Sequence, residues 1–66
     1  MRSFYLGIDM GSASSKGILL EGSRVVASYA CPSGGDFKVT AEKIRQELLS
    51  RTGATAQDVL YTVATG

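Results

Sequence analysis

The hydrophobic period of this chain switches from strand-like to helical at one point, and no other feature restricts its possible folds as much. Up to residue 36 the apolar residues come in short runs rich in β-formers, separated by glycine- and serine-containing turns. Phe4 to Asp9 is the first run, Lys16 to Leu20 the second and Arg24 to Ala30 the third. Met10 to Ser15 reads as a turn, as does Glu21-Gly22-Ser23. Cys31 to Asp36 reads as a loop that holds the only proline, Pro32. From Phe37 the spacing becomes helical, with Phe37, Ala41, Ile44 and Leu48 recurring at steps of 4, 3 and 4. Asp36 or Thr40 is placed to cap the start, Glu47 and Arg51 form a favourable i,i+4 pair, and Gly53 stands where a left-handed residue ends a helix. Thr55-Ala56-Gln57-Asp58 has the capping pattern of a short turn, and Val59 to Ala64 reads as a fourth strand of buried type.

The order is therefore β-β-β-α-β, an α/β arrangement. Short links make the first three strands an antiparallel meander, and a helix long enough to cross the sheet sets the fourth strand parallel to the first. The expected product is a mixed sheet with its helix on one face. A chain that stops just after a buried-type strand, at Gly66, is expected to be an N-terminal fragment of a larger domain.

Composition narrows the function classes. Seven basic and six acidic residues leave a net charge of +1, spread without any run, so the footprint of a dedicated nucleic-acid or anionic-membrane binder is missing. Without histidine, a His-based triad or the usual zinc ligand set cannot be assembled from these residues. A single cysteine, Cys31, makes no internal disulfide, and no apolar run approaches the ~20 residues that span a bilayer. Asp9 comes too early for a secretory h-region, so a cytoplasmic location is expected.

Chemistry concentrates in Gly7-Ile8-Asp9-Met10-Gly11-Ser12-Ala13-Ser14-Ser15-Lys16-Gly17. Here a carboxylate enters a tight turn between two strands and an ammonium leaves it. Small residues let backbone amides approach an anion, as in a nest, and Ser12, Ser14 and Ser15 add hydroxyl donors. Lys16 suits phosphate oxygens, while Asp9 is able to hold Mg²⁺ directly or through water. A carboxylate beside a phosphate requires a cation between them, which describes a cradle for a Mg-nucleotide. The alternative is a glycine- and serine-rich hairpin in which Asp9 and Lys16 form a surface ion pair of little worth. The two familiar glycine-rich phosphate loops, G-x-x-x-x-G-K-[ST] and G-x-G-x-x-G, do not occur.

Gly7-Ile8-Asp9-Met10-Gly11-Ser12 followed by Lys16, set between two strands of a β-β-β-α-β unit, resembles the phosphate-1 motif of the actin-like ATPase superfamily, whose fold is ribonuclease-H-like. Within it, Leu6 to Lys16 is most similar to the ATP-dependent activators of 2-hydroxyacyl-CoA dehydratases and the related benzoyl-CoA reductase ATPase subunits. The tail Val63-Ala64-Thr65-Gly66 also resembles that group's fourth strand and the start of its next loop. The resemblance implies that residues 1–66 are the N-terminal part of an actin-type half-domain. It implies a homodimeric ATPase in which ATP drives a conformational change and a four-iron four-sulfur cluster between subunits passes an electron to a dehydratase. On that analogy Asp9 positions Mg²⁺, Gly11, Ser12, Ala13 and Ser14 surround the phosphates of ATP or ADP, and Lys16 contacts β/γ-phosphate oxygens. The cluster ligands of that family lie far beyond residue 66, so Cys31 matches none and reads as a partly buried structural thiol.

Two further readings use the same cradle. One is a small-molecule kinase of the superfamily, acting on an amino sugar; the other is a non-catalytic protein whose nucleotide controls assembly. Downstream residues separate the three: a cysteine pair for the activator, a substrate-side Asp for the kinase, neither for the assembly protein. Residues 1–66 by themselves are not expected to hydrolyse ATP, because they lack a second phosphate loop and an adenosine pocket. Thr65 and Gly66 fall at the Asp9 edge of the sheet, where open α/β sheets place ligands, or they form a plain strand exit. Tyr5, Tyr29 and Tyr61 read as core or sheet-face residues, and Glu42, Lys43, Arg45, Glu47 and Arg51 as a solvated helix face.

Overall fold

A computed structural model describes residues 3–65. Strands β1 (Phe4–Met10), β2 (Ser14–Glu21) and β3 (Arg24–Pro32) precede helix α1 (Phe37–Thr52), a 3-10 turn (Ala56–Asp58) and strand β4 (Val59–Thr65). The sheet order is β3-β2-β1-β4, with β1 antiparallel to β2 and parallel to β4. This is the mixed four-stranded α/β sheet that the change of period implies.

The pleat divides the sheet into two unlike faces. Phe4, Leu6 and Ile8 of β1 and Leu19 of β2 point towards α1 and are buried with Ile44 and Leu48. Gly17 lies on the same face, and a Cβ there would collide with Ile44 Cγ2 and lie 3.1 Å from Leu48 Cδ1. The absence of a side chain at Gly17 is what lets α1 settle directly on β2. On the opposite face Tyr5, Gly7 and Asp9 of β1 stand beside Leu20, Ile18 and Lys16 of β2, with no second helix over them among the described residues.

The helix ends follow the expected chemistry. Asp36 caps α1 by accepting from the amides of Lys38 (3.0 Å) and Val39 (3.4 Å), and Gly53 closes it in the left-handed region at φ 72°. Glu47 and Arg51 form the expected pair at 3.5 Å. In the 3-10 turn Asp58 Oδ2 accepts from the Thr55 amide at 3.0 Å, as the capping pattern requires.

Several expectations need correction. The first turn is tighter than Met10 to Ser15, because Met10 and Ser15 pair across the ladder and leave only residues 11–13 between strands. β3 runs on through Cys31 and Pro32 instead of stopping at Ala30; as an edge strand it tolerates a proline, and Cys31 joins the core. Phe37 is 52% exposed. Its angle about the helix axis matches the stripe, but it stands on the first turn, and burial begins at Thr40, which serves inside the helix and not as its cap.

β4 is not a buried strand: residues 60–65 are exposed. α1 packs over β1, β2 and β3, so β4 stands at the margin with Leu60, Tyr61 and Val63 in contact with solvent. Arg51 also departs from a purely solvated face, lying 5.0 Å from the Tyr29 ring centroid and donating to the Ser28 carbonyl at 3.3 Å. Tyr5 and Tyr61 are cross-strand partners with exposed rings, while Tyr29 is half-buried. Gly66 lies outside the described residues.

Candidate functional site

Asp9 sits near the end of β1 and Lys16 near the start of β2, and the ladder makes them direct cross-strand partners. Both are exposed on the face away from α1. They form no ion pair, since the salt bridges among the described residues are Arg45–Glu42 at 2.6 Å and Arg51–Glu47 at 3.5 Å. The surface ion pair that would explain these two charges without a ligand is therefore not made. Asp9 instead accepts from Thr65 Oγ1 at 3.5 Å, across the parallel pairing of β1 with β4.

These residues edge a groove of about 330 Å³ on the open face, floored by Gly7, Ile18 and Val63. Gly7 has no side chain to fill it. A larger depression of about 670 Å³ is lined by residues of α1 alone. It is the furrow between side-chain rows of one helix and brings no second element to bear.

The turn above the groove is held from inside. The Gly11 amide donates to the Ser14 carbonyl at 3.1 Å, and a Cβ on Gly11 would lie 2.5 Å from that oxygen, so only glycine fits. The Ser33 amide donates to the Ala13 carbonyl at 3.1 Å, and the Ser33 hydroxyl donates to the Gly11 carbonyl at 2.5 Å. That uses the Ser33 proton, so Ser15 Oγ is the donor in its 2.6 Å bond to Ser33 Oγ.

This geometry sorts the expected site residues. Ser12, Ala13 and Ser14 are exposed at the tip, with Lys16 beside them and Asp9 across the ladder. Gly11 shapes the turn but has its amide committed to Ser14. Ser15 is buried, with its hydroxyl committed to Ser33. No αR–αL nest forms there, because the left-handed glycines among the described residues are Gly22, Gly34 and Gly53. Ser33 carries no sequence signal, since a serine before two glycines gives no visible sign that it reaches back to an earlier hairpin, and Thr40 stands out in the sequence only as a candidate cap of α1.

Among the described residues no three His, Cys, Asp or Glu side chains gather to hold a metal. Asp9 alone fits the sparse protein ligation typical of Mg²⁺, which keeps its waters and takes further oxygens from phosphates. Cys31 is buried and has no partner for an iron–sulfur cluster within this set. Both resolved titration shifts lie on α1, away from the groove. The Arg45 guanidinium donates to Glu42 and, with the Gln46 amide, holds its carboxyl below the ordinary carboxylate range; the same bond raises Arg45. No helix among the described residues is long and apolar enough to cross a membrane.

No protein-family model and no solved structure matches the chain. Two curated proteins are similar to it over 63 residues, 96% of its length. One is the 2-hydroxyisocaproyl-CoA dehydratase activator of Clostridioides difficile, at 27% identity. The other is the activator of lactoyl-CoA dehydratase of Anaerotignum propionicum, at 32% identity. The chain spans about a quarter of the length of each, 24%. It is thus similar to part of two activators of 2-hydroxyacyl-CoA dehydratases.

Proposed function

We propose that this chain is the phosphate-binding portion of an ATP-dependent activator of a 2-hydroxyacyl-CoA dehydratase, built on an actin-type, ribonuclease-H-like ATPase domain. The observation that carries the reading is the unpaired Asp9–Lys16 couple beside an exposed, small-residue turn. An ammonium and a carboxylate that face one groove without neutralising each other suit an anion with its cation. The names of the two similar proteins favour the activator over a sugar kinase or a non-catalytic assembly protein.

In this reading Lys16 contacts the β/γ-phosphates of ATP or ADP, and Ser12, Ala13 and Ser14 offer hydroxyls and amides to the phosphate oxygens. Gly11 shapes the turn that presents them. Asp9 holds Mg²⁺ through water, and the ion neutralises phosphate charge when bound. The four-iron four-sulfur cluster, the homodimer and the dehydratase partner belong to the proposal for the whole protein, in the cytoplasm. In this reading the cluster ligands lie beyond residue 66.

The test is activation. The natural protein carrying this chain, with Mg-ATP and a low-potential reductant, should switch on an inactive 2-hydroxyacyl-CoA dehydratase and hydrolyse ATP as it does so. ATP-independent activation, or none, contradicts the proposal.

A further inference from the structure

The buried polar residues among those described are Ser15, Ser33 and Thr40, and all three belong to one chain of hydrogen bonds under the turn. Ser33 is its centre. It is 0% exposed, and each of its polar groups is engaged. Its amide and hydroxyl bind the carbonyls of Ala13 and Gly11, gripping the turn on both sides of Ser12. Its hydroxyl oxygen accepts from Ser15, and its carbonyl accepts from Thr40 Oγ1 on the first turn of α1. Thr40 Oγ1 also lies 3.1 Å from the Asp36 carbonyl.

Polar groups withdrawn from water are costly unless each is paired, so three hydroxyls here rather than aliphatic side chains call for a reason. The turn supplies one. Residues 12 and 13 have no left-handed backbone, and the internal backbone bond across the tip is that of Gly11 to Ser14. Its shape is set from below. We infer that Ser33 is a positioning residue for phosphate binding: it holds Ser12, Ala13 and Ser14 beside Lys16 before the nucleotide arrives. Through Thr40 it also fixes that turn to the start of α1. Ordering the donors in advance removes an entropic cost from binding. The inference rests on the nucleotide reading of the turn and adds a residue outside the groove.

The experiment measures Mg-ATP and adenosine affinities of the natural protein and of Ser33→Ala, Thr40→Val and Lys16→Ala, each below its unfolding midpoint. Ser33→Ala should weaken Mg-ATP roughly three- to tenfold, the range of one net hydrogen bond, and leave adenosine unchanged. Thr40→Val should move in the same direction by less, and it decides the question if Ser33→Ala does not fold. If Lys16→Ala weakens Mg-ATP while neither hydroxyl variant does, the positioning role is overturned and the cradle stands. Equal loss for Mg-ATP and adenosine overturns it too, by revealing a general structural role. If Lys16→Ala itself leaves Mg-ATP unchanged, the nucleotide reading falls and the inference falls with it.

Discussion

Asp9 and Lys16 are direct partners across the β1–β2 ladder, yet no salt bridge joins them. Opposite charges at paired positions ordinarily gain a little by meeting. Here they stand exposed at one groove, with Asp9 turned to Thr65 and Lys16 without a partner among the described residues. Asp9→Asn should therefore lower affinity for Mg-ATP by about tenfold, the scale of a charged hydrogen-bond partner, and affect metal-free ATP far less. Titration with and without Mg²⁺ checks this; equal losses in both would remove the metal role from Asp9.

Gly17 makes a second point of control, through packing. Gly17→Ala puts a methyl group against Ile44 and Leu48, with β2 and α1 already in contact. Overpacking of this kind costs about 1–3 kcal/mol. Chemical denaturation of the variant should show a lower midpoint with an unchanged slope, and an unchanged midpoint would mean that α1 is free to lift off the sheet.

Much of this architecture was legible because it rests on local rules. Alternation in Phe4, Leu6 and Ile8, the stripe of Ile44 and Leu48, the Asp36 cap and the Gly53 stop each report a nearby physical requirement. Phe37 and β4 are more exposed than their local pattern implies because burial depends on where the helix reaches, and α1 packs mainly over β1, β2 and β3. The site divided in the same way. Asp9, the small-residue tip and Lys16 are visible as residue types around one turn. The grip of Ser33 on Gly11 and Ala13 joins residues about twenty positions apart, and no period or spacing announces it.

The exposed pair on α1 gives a pH signature. Arg45 donates to Glu42, whose carboxyl is held below its unfolded value. A lowered carboxylate contributes stability above its unfolded pKa and loses it as pH falls through the folded one. Arg45→Gln should thus cause a small loss of thermal midpoint at neutral pH that disappears once the carboxylates are protonated. A loss of equal size at both pH values would mean that Arg45 acts through its aliphatic stem rather than its charge.

The most direct measurement is calorimetric titration of Mg-ATP into the natural protein and its Lys16→Ala variant, with the unfolding midpoint of each recorded alongside. The account predicts a stable variant whose affinity falls by about tenfold or more, because a charge-assisted contact to phosphate is lost. An intact variant that binds Mg-ATP as tightly as the natural protein would contradict it and return Asp9, Lys16 and the turn between them to the status of an ordinary hairpin.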